Sequence, residues 1–107
     1  MDLRATHHQV AGHDVVALDG IADLAAAPQL QSALSRSLSA LETNSLIVDL
    51  DAATVVDDVA IGLLLGTATR CRDRGIDFAI VASTPKIAAR LADTRVDRIV
   101  TVRSSIA

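Results

Sequence analysis

The sequence is almost without aromatic side chains: Phe78 stands alone, with no Trp and no Tyr. Binding of single-stranded nucleic acid leans on aromatic platforms that stack the bases, so this shortage argues against that class of function. A net charge of −3 removes any general attraction to phosphate backbones. Cysteine is nearly absent too. Cys71 is alone, which excludes an internal disulfide and fits a reducing, cytoplasmic setting. There is no glycine-rich phosphate loop, and no segment reaches the roughly 20 apolar residues that span a bilayer. Residues 1–12 are polar and lack the apolar stretch of a secretory signal. No membrane association and no cofactor are therefore expected. His7, His8 and His13 lack the Cys or carboxylate pattern of a metal centre, so no metal is expected either.

What is present is aliphatic. Half of the 107 residues are hydrophobic, so Val, Ile, Leu and Ala must build the core. The length suits one domain over 1–107. Residues 14–18 read as a strand, with a break at Asp19-Gly20. Leu30, Leu34, Leu38 and Leu41 share one face of a helix over about 28–42, opened by Pro28 and stopped near Asn44. Residues 46–50 form a buried strand and 51–56 a loop. A second helix follows, with Ile61, Leu64, Leu65, Ala68 and Cys71 as its inner stripe and Gly75 beyond its end. A strand over 76–82 leads to Ser83-Thr84-Pro85, a hydroxyl cap with Pro at the first helical position. Ile87 and Leu91 face inward from that helix, and residues 96–102 supply a last strand. Residues 3–10 add a weaker candidate strand. This alternation predicts an α/β fold with a mixed, mostly parallel sheet of four to five strands and helices packed against it.

The most distinctive local feature is Asp57-Asp58-Val59-Ala60-Ile61-Gly62, placed where a strand hands over to an apolar helix. Acidic residues there can cap free N–H groups and oppose the positive end of the helix dipole. Sites in open α/β sheets also gather at the carboxyl ends of strands. Two more stretches join it. Gly20-Ile21-Ala22-Asp23 follows the early strand, and Thr94-Arg95-Val96-Asp97 follows the last helix. Together with Asp49-Leu50 and Val55-Val56, and in this order, segments 14–24, 46–66 and 84–102 resemble the STAS domain of bacterial anti-sigma factor antagonists.

The resemblance implies a binding module, not an enzyme, with no catalytic residues. Its partner would be an anti-sigma factor of the protein-kinase type, or a related regulatory protein. The implied partner surface comprises Asp23, Asp57, Asp58, Val59 and Gly62. In the family, the residue after the motif Asp is a phosphorylatable Ser or Thr, and phosphorylation breaks the complex. Here that position is Asp58, which no serine kinase can modify. It carries one charge, against about −1.5 to −2 for phosphoserine. Asp58 could imitate the phosphorylated state, or it could remove the off-switch and leave binding constitutive. Three carboxylates at this place would favour a basic partner and salt-sensitive association. Val59 replaces a second Ser. Arg95 replaces a Gly that needs a left-handed conformation, at a strain of about 1 kcal/mol. Two other readings compete. One is a ligand-sensing or scaffold STAS domain. The other is an aspartyl-phosphate receiver built on Asp49, Asp57 and Asp58, which would lack the usual extra acidic pair and late Lys.

Overall fold

A computed structural model describes residues 3–106. The chain runs β1 (Leu3–Val10), β2 (His13–Ala22), a 3-10 turn (Leu24–Ala26), α1 (Ala27–Ser39), β3 (Ser45–Val56), α2 (Asp58–Asp73), β4 (Asp77–Val81), α3 (Pro85–Asp93), a second 3-10 turn (Val96–Arg98) and β5 (Thr101–Arg103). The five strands lie side by side in sequence order. β1 and β2 form an antiparallel hairpin, and every later pair is parallel. The hairpin turns on Ala11 and Gly12, both at positive φ, as a two-residue turn matched to strand twist requires. Among the described residues, no helix is long and apolar enough to cross a membrane.

Sequence order in the sheet dictates where the helices go. Three crossovers, each stepping one strand in the same direction and each right-handed, must all pass over the same face. Accordingly, Leu30 and Leu34 of α1, Ala60, Ile61 and Leu64 of α2, and Ile87 and Leu91 of α3 share one core with Val16, Leu18, Val48, Leu50 and Ile80. The other face holds a smaller cluster, Val15, Ile47, Ala79 and Val81, with Val10 and Ile106 against it. Cys71 is fully buried in the main core, and burial pushes its thiol up against the opposing pull of Arg74 and Arg70. Leu65 and Ala68, expected inside, are only half-buried at the margin of that core.

Four expectations need correction, each for a tertiary reason. Residues 51–56 are not a loop. β3 continues through them because β2 runs on alongside, pairing Ala52 with Asp19 and Val56 with Ala22. Nor does the strand end at 18 with a break at Asp19-Gly20: β2 runs through to Ala22, and only its ladder slips there, next to Gly20 at φ 104°. Residues 96–102 are not one strand. Val96 and Val100 are both buried, and the Val100 N–H donates to the Val96 carbonyl at 2.9 Å, so their spacing marks a helical turn rather than alternation. Helix α1 ends at Ser39 rather than 42, because the carboxylate of Asp14 draws the following backbone away. One oxygen of that carboxylate accepts from the N–H groups of Glu42 (3.1 Å) and Thr43 (2.9 Å) and from the Thr43 hydroxyl (2.7 Å); the other meets His7 Nε2 at 2.9 Å.

Asp14 is fully buried. Burial alone would raise its pKa, but the Thr43 hydroxyl, His7 and the two backbone donors together bring it down to about 2. The folded carboxyl therefore holds a proton less readily than the unfolded one, whose ordinary value is 3.8. Its stabilising contribution, about 2 kcal/mol, is present above pH ~4 and lost as pH falls toward 2. Urea unfolding of wild type and Asp14→Asn across this range should show the two stability curves converging at the acid end. Arg95 sits at φ 62°, ψ 22°, in the left-handed region foreseen from its motif. Arg95→Gly should relieve that strain and raise stability by about 0.5 kcal/mol, a few degrees in thermal midpoint.

Candidate functional site

Strands β2 and β3 outrun β4. The β3–β4 ladder stops at Asp49 and Val81, whereas β2 and β3 stay paired to Ala22 and Val56. Their carboxyl ends form a two-stranded projection from which the first 3-10 turn and α2 both start. This brings Asp23 and Asp57 together, as their positions after adjacent parallel strands required. The Asp57 N–H donates to the Ala22 carbonyl at 3.1 Å. The Asp57 side chain then works in two directions. Oδ1 accepts from the Ala60 N–H (3.0 Å), capping α2, and Oδ2 accepts from the Leu24 N–H (2.9 Å) across the gap. Asp23 Oδ1 caps its own turn through the Ala26 N–H at 3.1 Å.

Asp58 behaves differently from Asp57, although both could have been caps. It lies in the first turn of α2, with 88% of its side chain exposed. Its Oδ1 accepts from Arg90 Nη2 of α3 at 2.6 Å. The Arg90 Nε donates to the Val56 carbonyl, and one turn earlier Lys86 Nζ donates to the Thr54 carbonyl at 3.3 Å. Beyond the end of β4, these two cations satisfy carbonyls of the projecting β3. Thr54 Oγ1 in turn donates to the Gly20 carbonyl at 3.2 Å, tying the two projecting strands.

All three carboxylates of the site are thus engaged within the chain. Beside the exposed Asp58, apolar side chains also face outward. Leu24 is 69% exposed, and Val55 and Val59 are each 38% exposed. Leu24 is tied to Asp57 through its own N–H, and the two valines flank Asp57 by two residues on either side. A small cleft of about 150 Å³ opens next to them, between Val55, Val56, Asp57, Ile87, Lys86 and Arg90. Gly62 lies exposed one turn into α2, and a Cβ there would meet nothing, so packing does not demand glycine.

Leu24, Val55 and Arg90 escaped sequence reading. Leu24 follows the Gly20-to-Asp23 motif directly and was the one within reach. Arg90 comes from 32 residues away, and no local pattern marks it. Thr84, expected as a hydroxyl cap, stands at the N-cap of α3 but its side chain makes no capping bond. One residue before that cap, the Ser83 N–H donates to Asp51 Oδ1 at 2.7 Å. The receiver-like trio does not assemble. Asp49 lies eight residues before Asp57 on an extended strand, roughly 25 Å away, and its side chain accepts from the Asp51 N–H. Among the described residues, no group of three or more His, Cys, Asp or Glu is placed to hold a metal.

The two aspartates should therefore separate on mutation. Asp57→Ala removes a cap and the tie to Leu24, and should cost about 1–2 kcal/mol in urea unfolding. Asp58→Ala loses an exposed ion pair and should stay within about 0.5 kcal/mol of wild type.

Comparison with known proteins bears on this geometry. The STAS domain family matches residues 5–107. An anti-sigma factor antagonist from Mycobacterium paratuberculosis has a similar structure, with TM-score 0.88 and 21% identity over 97% of this chain and 87% of that one. The Bacillus cell fate determinant SpoIIAA in its phosphorylated form aligns at TM-score 0.68 and 14% identity, covering 95% of this chain and 93% of the other. A sulfate transporter family protein from Wolinella succinogenes aligns at TM-score 0.73 and 15% identity, covering 92% and 82%. No curated protein matches the chain. The order of the elements, the Gly20-to-Asp23 turn beside the Asp57 cap, and the family match over nearly all of its length agree: this chain belongs to the STAS domain family.

Proposed function

We propose that this chain is an anti-sigma factor antagonist-like module: it binds an anti-sigma factor of the protein-kinase type through the head of α2, in the cytoplasm, and catalyses nothing itself. The surface comprises Asp23, Asp57, Asp58, Val59 and Gly62, extended by Leu24 and Val55. The observation that carries this reading is the exposure of Leu24, Val55 and Val59 around a helix head whose carboxylates are already satisfied. Exposed large apolar side chains on the segments that Asp57 joins support a docking surface there. Affinity then comes chiefly from covering these side chains, with less salt sensitivity than three free carboxylates would give.

Residue 58 supports constitutive docking over imitation of phosphoserine. A phosphoserine carries about −1.5 to −2, while Asp58 brings one charge and meets it with Arg90. No serine kinase can add phosphate there, so release of the partner must come by another route.

The test is binding of purified wild type and variants to the anti-sigma kinases of the source cell. Val59→Asp should weaken binding at least about tenfold, near 1.4 kcal/mol, with the thermal midpoint little changed. Arg74→Glu, at the opposite end of α2, should leave affinity within about twofold. After incubation with the bound kinase and ATP, intact mass should show no phosphate on wild type, while Asp58→Ser supplies the missing hydroxyl. If Arg74→Glu abolishes binding and Val59→Asp does not, the docking face lies elsewhere. Phosphate on Thr54 would place the switch at that hydroxyl.

A further inference from the structure

Arg90 makes two contacts that the sequence pattern does not explain. Its Nε donates to the carbonyl of Val56, the last residue of β3, and its Nη2 to the carboxylate of Asp58, the first residue of α2. A planar guanidinium can hold two such acceptors at once, whereas an ammonium acts as a point charge. The pair is open to solvent, with side-chain exposures of 38% for Arg90 and 88% for Asp58, so it adds little to folding stability. Its position is what distinguishes it. It lies at the border of the exposed Val55 and Val59 and beside the small apolar cleft that Arg90 itself lines. A protein that covers these valines must take the Asp58 carboxylate at least partly out of water. An unpaired carboxylate resists that strongly, and one already paired and hydrogen-bonded resists it far less.

We propose that Arg90 is a positioning residue for docking: it holds the Asp58 carboxylate against α3 with its charge compensated, so that a partner can close over Val55 and Val59 without stranding a bare anion. The proposal rests on the docking surface described above and names the device that makes an acidic residue at position 58 compatible with it. The partner face it fits is apolar at its centre, with no cation aimed at residue 58, because that role is filled from within the chain.

The experiment is a double-mutant cycle on the anti-sigma factor that wild type binds, using Arg90→Gln, Arg90→Lys, Asp58→Asn and the Arg90→Gln/Asp58→Asn double variant. Arg90→Gln should weaken binding about tenfold. Arg90→Lys keeps a positive charge beside Asp58 but loses the two-acceptor geometry, and should fall between wild type and Arg90→Gln. In the Asp58→Asn background there is no anion to compensate, and Arg90→Gln should then matter by less than about threefold. If Arg90→Lys is as damaging as Arg90→Gln, or Arg90→Gln costs as much in the Asp58→Asn background, Arg90 merely fastens α3 to β3 through Val56, and the proposal is overturned. Tighter binding by Arg90→Gln would overturn it too, by showing that the partner brings its own cation to Asp58. The clamp has a separate readout in the protein alone: the Arg90 guanidinium signals in nitrogen-edited NMR should move on Asp58→Asn. Signals indifferent to that change overturn the clamp whatever binding does. Wild type that binds no anti-sigma factor while these signals do move overturns the docking reading instead.

Discussion

The carboxylate of Asp57 is the contact on which the rest of the site depends. One oxygen caps α2 at Ala60 and the other holds the Leu24 N–H of the turn that follows β2. The same residue's N–H continues the pairing of the strands by donating to the Ala22 carbonyl. Two segments that are remote in sequence, residues 22–24 and 57–60, therefore meet at one residue. A helix start and a neighbouring loop each leave N–H groups without partners, and an ionised acceptor between them answers both needs at once. These bonds set the turn that carries Leu24 against the head of α2 that carries Val59.

The site also depends on an inequality of strand length. β4 pairs with β3 only as far as Val81 and Asp49, so more than half of β3 projects past its neighbour on that side. A projecting strand edge leaves backbone carbonyls to be satisfied. Lys86 and Arg90, one turn apart on α3, take the carbonyls of Thr54 and Val56. The second of these cations has donors to spare, and it reaches Asp58. The charge balance at the helix head is thus a consequence of how the sheet edge is covered. Helix α3 serves the core through Ile87 and Leu91 and the site through Lys86 and Arg90, on neighbouring faces of the same short helix.

Much of this was legible beforehand. The leucine stripe of α1, the inner face of α2, and the inward Ile87 and Leu91 all follow from helical periodicity, and all are buried except the marginal Leu41, Leu65 and Ala68. Asp57 as a cap and Asp23 beside it followed from their places after adjacent parallel strands. The errors share one cause. Residues 51–56 become strand because β2 lies alongside, residues 40–43 leave the helix because Asp14 holds their amides, and 96–100 turn because Val96 and Val100 both face the core. In each, a partner far away in sequence outweighs the local pattern.

What the sequence determined by itself is the class of fold and the identity of the helix head. Alternating strand and helix patterns, with short connections and right-handed crossovers, leave few ways to arrange the chain, and a carboxylate ahead of an apolar helix has few other places to go. The tertiary structure alone decided what that head presents. Asp57 and Asp58 are chemically identical neighbours, yet one is spent on backbone N–H groups and the other points to α3. The difference lies in Leu24 and Arg90, 33 and 32 residues away along the chain. Local patterns report which face of an element is buried, because that depends on periodicity. They cannot report which partner a polar side chain meets, because that depends on where distant segments come to rest.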